Sequence, residues 1–234
     1  MIVDHLPYVP RLDKRPVDRI DLVVVHCTEL PDIATAREYG ECIHHDESRT
    51  GNSGHYYIER EGQVQEWVPP DRVAHHVRGF NDHSIGIELD HPGRYPEWFN
   101  SRRQELREPY AQVQLENLVR LVNTLRRAIP TIHLASGHDR LDTARVPSSD
   151  QPGVTVRRKV DPGLLFPWDR FLAATGLERL VVAGGVGANR RLRDRLAAEL
   201  GCSHWTVEEA MQRLAYQDLI RVMPRKGLLI VPIE

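Results

Sequence analysis

DLVVVHC, residues 21–27, is the stretch on which the reading of the fold turns. Leu22, Val23, Val24 and Val25 run without a polar interruption, and three of the four are β-branched. A strand with one wet face alternates polar and apolar residues, so an unbroken run of this kind reads as a strand buried on both faces. SIGIELD (84–90) is a second strand of the same type. GHYYIEREGQVQEWV (54–68) reads as a hairpin, two runs of strand-forming residues around a Glu-Gly turn. Residues 33–46 fit a helix, with Ala34, Ala36 and Ile43 among polar positions. Residues 112–129 carry Leu115, Leu118, Val119, Val122, Leu125 and Ile129 at spacings of three and four, an amphipathic helix stopped at Pro130. Residues 140–158, rich in Pro, Ser, Asp and Arg, read as a long loop, either a gate over a cleft or an inert excursion. FPWDRFLAATG (166–176) reads as a closing helix ended by Gly176. Strands interleaved with helices predict an α/β domain over residues 1–176.

The whole chain sets bounds on this reading. Its 234 residues suit a main domain with a small appendage, and 41% apolar residues are enough to bury a core. A formal net charge of −2 gives no global pull toward nucleic acid or anionic lipid. No apolar run approaches the ~18 residues that span a bilayer, and MIVDHLPYVPRLDKRP lacks the pattern of a secretory signal. Cys27, Cys42 and Cys202 are scattered and odd in number, which suits a reducing compartment. The expectation is a soluble chain made in the cytoplasm, where later release by lysis or a dedicated secretion machine would leave no trace in the sequence.

The chemistry is carried by histidines and carboxylates at element ends. His26 closes the buried strand, so its imidazole emerges where the chain leaves the core. His138 ends IHLASGH (132–138), and Asp161 stands in RRKVDPG (157–163), followed by the stiff Pro162. Two imidazoles and one carboxylate are a ligand set that leaves a fourth position on a tetrahedral zinc for water, as a hydrolytic site requires. There is no local H-E-x-x-H, so these spacings alone do not single out a metal site.

VVVHCTE, GHYYIEREGQVQEWV, HHVRGFNDHSIGIEL, SGHDRL and RRKVDPG occur in an order that resembles the type-2 N-acetylmuramoyl-L-alanine amidases, over roughly residues 20–172. The resemblance implies a mixed central β-sheet flanked by helices. It also implies one zinc ion and hydrolysis of the amide between N-acetylmuramic acid and L-alanine in peptidoglycan or muropeptides. Carried over motif by motif, His26, His138 and Asp161 are the metal ligands, where some relatives have a cysteine in place of the aspartate. Glu88 falls where many members keep a general base. A carboxylate in an apolar strand is costly unless it faces a polar site. Lys159 is placed to stabilise the developing oxyanion.

His76 sits where members have a histidine that lines the cleft and contacts substrate, while His75 replaces a common tryptophan, which leaves open which imidazole points inward. Asn81 and Ser84 match residues that shape the same wall. His55 reads as a structural histidine or a substrate contact. Arg78 is either a partner for a stem-peptide carboxylate or an exposed arginine. Cys27, by alternation, turns to the opposite face and packs.

Past Gly176 the pattern changes, and a domain boundary falls near residue 177. Helical patterns at 190–200 and 206–219, then a hairpin in RVMPRKGLLIVPI (221–233), give the order of a winged helix and resemble gluconate-repressor-type regulators. Glu208 and Glu209 stand where such regulators usually place arginine, and carboxylates repel phosphates. Residues 177–234 therefore read as a wall-binding or partner-docking module, with nucleic acid disfavoured. Two alternatives to the enzyme stand beside it: a peptidoglycan-binding module without catalysis, and a muropeptide-sensing DNA regulator.

Overall fold

The buried run of residues 22–27 is the heart of a seven-stranded mixed sheet. In chain order its strands are β1 (Ile2–Val3), β2 (Leu22–Cys27), β3 (Tyr56–Ile58), β4 (Val64–Glu66), β5 (Ser84–Leu89), β6 (Leu134–Gly137) and, last, β9 (Glu178–Arg179). The spatial order is β1-β4-β3-β5-β2-β6-β9. Neighbours from β3 to β9 run parallel, β4 returns antiparallel to β3, and β1 lies parallel to β4. The computed structural model describes residues 1–179 together with the backbone of 220–223 and 227–230. The chain divides into two units, Met1–Leu180 and Val181–Glu234.

Every residue of β2 is buried, because β5 and β6 pair with its two edges and side chains cover both its faces. Each fully buried valine contributes about 1.5–3 kcal/mol relative to exposure. Helix α1 (Ile33–Glu41) starts at Asp32, whose carboxylate accepts from Thr35 N at 2.7 Å. It ends sooner than the expected residue 46. His44 N and His45 N both donate to Thr50 O at 2.9 Å, which draws the chain out of the helix into a small bridge.

Helix α2 (Gln112–Ala128) buries Leu118, Leu121, Val122 and Leu125, and Gln114 with them. Gln114 Nε2 donates to Ile58 O and Asp90 O, satisfying carbonyls at the ends of β3 and β5. The expected long loop opens with a single helical turn, α3 (His138–Leu141). It then contains a separate hairpin, β7 (Arg145–Pro147) with β8 (Thr155–Arg157). Helix α4 (Trp168–Thr175) closes on Gly176 at φ +64°, a left-handed cap.

In the second unit, β10 (Ile220–Met223) and β11 (Gly227–Ile230) pair antiparallel. The helices expected at 190–200 and 206–219 lie outside the described residues. Among the described residues, no helix is long and apolar enough to cross a membrane.

Candidate active site

Parallel strands deliver their C-terminal ends to one edge of the sheet, and in open α/β sheets that edge is where ligands bind. His26 on β2 and Glu88 on β5 are register partners, so their side chains lie side by side there. His138 follows the last residue of β6, the strand on the other side of β2. Asp161 arrives from the segment after β8, anchored where its carbonyl accepts from Asp139 N at 2.8 Å. Three elements far apart in sequence thus converge on one point.

His26 Nδ1, His138 Nδ1 and Asp161 Oδ2 form a nearly equilateral triangle with edges of 3.0, 3.1 and 3.1 Å. Asp161 Oδ1 is buried and has no hydrogen-bond partner. Three lone-pair atoms this close, all buried, repel one another unless protons or a cation lie between them. A tetrahedral zinc with bonds of about 2.0–2.2 Å sets its ligand atoms about 3.3–3.6 Å apart, so the donor set suits such an ion and a few tenths of an ångström of spreading brings the triangle to its spacing. This is the one group of histidine, cysteine and acidic residues among the described residues that could hold a metal.

Glu88 Oε1 lies 3.8 Å from His26 Nδ1, with its side chain 15% exposed. Burial, reinforced by Asp161 and opposed by Lys159, pushes its carboxyl up to about 8. His26 is driven down to about 4, chiefly by burial, against the pull of Asp161. For Asp161, burial acts upward, yet the charge of His138, the close contacts with both imidazoles and Lys159 hold it well below the usual carboxylate range. Gly54 makes room for the Glu88 side chain, since a Cβ there would lie 2.9 Å from Glu88 Cγ.

The triangle and Glu88 open onto a cavity of about 260 Å³. Its walls run past Lys159, His75 and His76 toward Tyr39 and Gly40 of α1, and past His44, Asn52 and Tyr57.

The expected site residues separate into two groups. His26, His138, Asp161, Glu88, Lys159, His75 and His76 all line this cavity. Both histidines of the 75–76 pair reach it, with different surroundings. His75 packs edge-on against His45, ring centroids 4.4 Å apart, whereas His76 reaches inward to His26. Asn81 stands behind the wall, where its Oδ1 accepts from His76 N and Val77 N.

His55 is fully buried and set back from the cavity. Its Nδ1 accepts from Gly86 N, and its Nε2 meets Arg72 O and the Arg15 guanidinium, so it holds structure rather than substrate. Arg78 is exposed and lines no part of the cavity. Cys27, expected to turn to the opposite face, is buried beside Tyr110 yet borders the same cavity, and burial raises its thiol well above the usual range.

Sequence reasoning missed Gly54 and Gly86, although a glycine inside or beside a strand is itself a signal of close approach. It also missed the buried pair Glu29–Arg94. Arg94 Nε and Nη2 donate to the two Glu29 carboxylate oxygens at 2.7 and 2.8 Å, and its Nη1 and Nη2 donate to Arg157 O and Arg158 O.

A mixed sheet whose C-terminal edge carries a buried His-His-carboxylate triangle, with a protonatable carboxylate beside it and a cavity above, defines a hydrolase of the α/β class. Residues 16–164 match the N-acetylmuramoyl-L-alanine amidase family, Amidase_2, and the chain belongs to that family. It is 28% identical over 186 residues to the 1,6-anhydro-N-acetylmuramyl-L-alanine amidase AmpD of Haemophilus influenzae, covering 70% of this chain and 88% of that protein. A crystal structure of an AmpD selenomethionine derivative superposes with a TM-score of 0.51 at 26% identity, over 74% of this chain and 93% of the other. A 29-residue stretch, 12% of the chain, is 76% identical to part of the tRNA N6-adenosine threonylcarbamoyltransferase of Aromatoleum aromaticum. It covers 8% of that protein, too little to carry a functional argument.

Proposed function

We propose that the chain is a zinc-dependent amidase that hydrolyses the amide between N-acetylmuramic acid and L-alanine, in soluble muropeptides or in murein. The observation that carries this reading is the buried triangle of His26, His138 and Asp161, with Glu88 beside it and a cavity above. The family and the similarity to an anhydro-muramyl amidase supply the substrate class.

In this reading His26, His138 and Asp161 hold the zinc, which when bound polarises the scissile carbonyl and acidifies water. Glu88 takes a proton from the attacking water and delivers it to the departing alanine nitrogen, so the products are a lactyl carboxylate and a free L-alanyl peptide. A carboxyl at about 8 is protonated at neutral pH, and a cation in the triangle lowers it into the range where it accepts a proton. Lys159 stabilises the negative charge that develops on the carbonyl oxygen. His75 forms part of the wall against which the substrate rests. Residues 177–234 enter as a separate module that binds the wall or a partner.

The test is digestion of purified anhydro-muropeptide and, separately, of intact murein, with zinc-loaded and chelated protein, read by mass spectrometry. Zinc-dependent release of peptides with a free L-alanyl amine is the expected result, and the substrate that yields them fixes the class. Folded, zinc-loaded protein that releases nothing from either substrate refutes catalysis and makes peptidoglycan binding the function.

A further inference from the structure

His76 was expected to meet substrate, yet both of its ring nitrogens are committed to the protein. Nδ1 lies 3.0 Å from His26 Nε2, and Nε2 lies 3.2 Å from Ser84 Oγ. Ser84 Oγ in turn donates to Phe80 O at 2.6 Å. A carbonyl oxygen only accepts, and a serine hydroxyl has one proton to give. The Ser84 proton is therefore spent on Phe80 O, and Ser84 Oγ faces His76 as an acceptor. His76 must place its proton on Nε2, which leaves Nδ1 as a lone pair. His26 Nε2 must then carry the proton that this lone pair accepts, and His26 Nδ1 is left bare. That bare nitrogen is the one that faces His138 Nδ1 and Asp161 Oδ2.

From this chain of bonds we infer that His76, Ser84 and the Phe80 carbonyl form a relay that fixes the His26 tautomer and ring angle for metal binding, making His76 and Ser84 positioning residues. The local structure is built around this arrangement. Asn81 Oδ1 ties down His76 N and Val77 N at 3.0 and 2.7 Å, and Arg15 Nη1 holds the Ser84 carbonyl at 2.8 Å. Gly86 lets the ring lie flush on β5, since a Cβ there would come within 2.6 Å of His76 Cγ and Nδ1. The His26 and His76 rings meet edge to face at 83°, an angle that aims one nitrogen at the other. Histidines that bind metals commonly donate their second N–H to a carbonyl or carboxylate. Here a second imidazole stands between, and a serine and a backbone carbonyl supply the polarity.

This inference rests on the zinc reading above, and its test separates the two. Nitrogen-15 chemical shifts of the imidazoles are recorded on the full-length protein without metal and then with zinc. In both states His76 is expected as the Nε2–H tautomer with an accepting Nδ1, and His26 as the Nε2–H tautomer. A proton on His76 Nδ1 or on His26 Nδ1 overturns the relay, whatever zinc does. If no zinc binds to the unmodified protein, the metal reading falls, while the metal-free spectrum still decides the relay.

Zinc affinity, measured by competition with a chromophoric chelator, gives the second readout. Ser84→Ala and His76→Phe are each expected to weaken zinc binding about 10–100-fold, the usual cost of losing such a partner. Both variants binding zinc as tightly as the unmodified protein would refute the inference.

Discussion

Removing the Arg94 guanidinium tests the least visible support of the site. Arg94 and Glu29 have side chains 1% and 7% exposed and form a two-pronged ion pair. The same guanidinium holds Gln104 Oε1 and the carbonyls of Arg157 and Arg158, the two residues before Lys159. Arg94→Met keeps much of the volume but leaves a buried carboxylate without its partner. Breaking one side of a buried pair costs about 3–5 kcal/mol, most of it from the stranded charge. Adding Glu29→Gln removes that charge, so the double variant is expected to recover more than half of the loss. The remainder belongs to the other partners of the guanidinium, Gln104 and the two carbonyls among them, at about 1 kcal/mol each. The assay is urea unfolding followed by circular dichroism, with muropeptide turnover measured alongside. Turnover is expected to fall in both variants, because Lys159 and Asp161 sit on the released segment. A loss below about 1 kcal/mol for Arg94→Met, or a double variant no more stable than the single, refutes the reasoning.

Glu88→Gln keeps shape and hydrogen bonding but cannot shuttle a proton. It should lower turnover by about 100-fold or more while zinc stoichiometry stays unchanged, as read by mass spectrometry and metal analysis. Asp90 is 6% exposed, its Oδ1 lacks a partner, and burial lifts its carboxyl from 3.8 to about 6. The folded state therefore binds this proton more tightly than the unfolded one. Its stabilising contribution is present below pH about 4 and is lost as pH rises through about 6. Asp90→Asn should raise stability at pH 7 by up to about 3 kcal/mol and flatten the slope between pH 4 and 6 in urea titrations.

The parts of this molecule legible in its sequence are those whose signal is local. The run Leu22–Cys27 announced a strand buried on both faces because apolar continuity reports burial directly, and the three- and four-residue spacing of 112–129 did the same for α2. His26, His138 and Asp161 drew attention because each closes an element or precedes a stiff residue, and the order of five motifs joined them. What stayed hidden depends on partners far away in sequence. Arg94 and Glu29 are 65 residues apart, and neither carries a pattern that betrays the other. Gln114 reads as a surface residue until its amide is seen to bridge the carbonyls of Ile58 and Asp90. The early end of α1 follows from Thr50, which no helical periodicity over 33–46 contains. His76 reads as a contact for substrate because a motif gives a position, while the direction of its hydrogen bonds emerges only with Ser84 and Phe80 in place.

The most direct test of the central claim is an anomalous difference map recorded at the zinc absorption edge from crystals of the zinc-loaded protein. The account predicts a single peak in the amidase unit, bonded at about 2.0–2.2 Å by His26 Nδ1, His138 Nδ1 and an Asp161 oxygen. A zinc peak elsewhere in that unit, or a zinc-loaded protein whose triangle shows no peak, would contradict it.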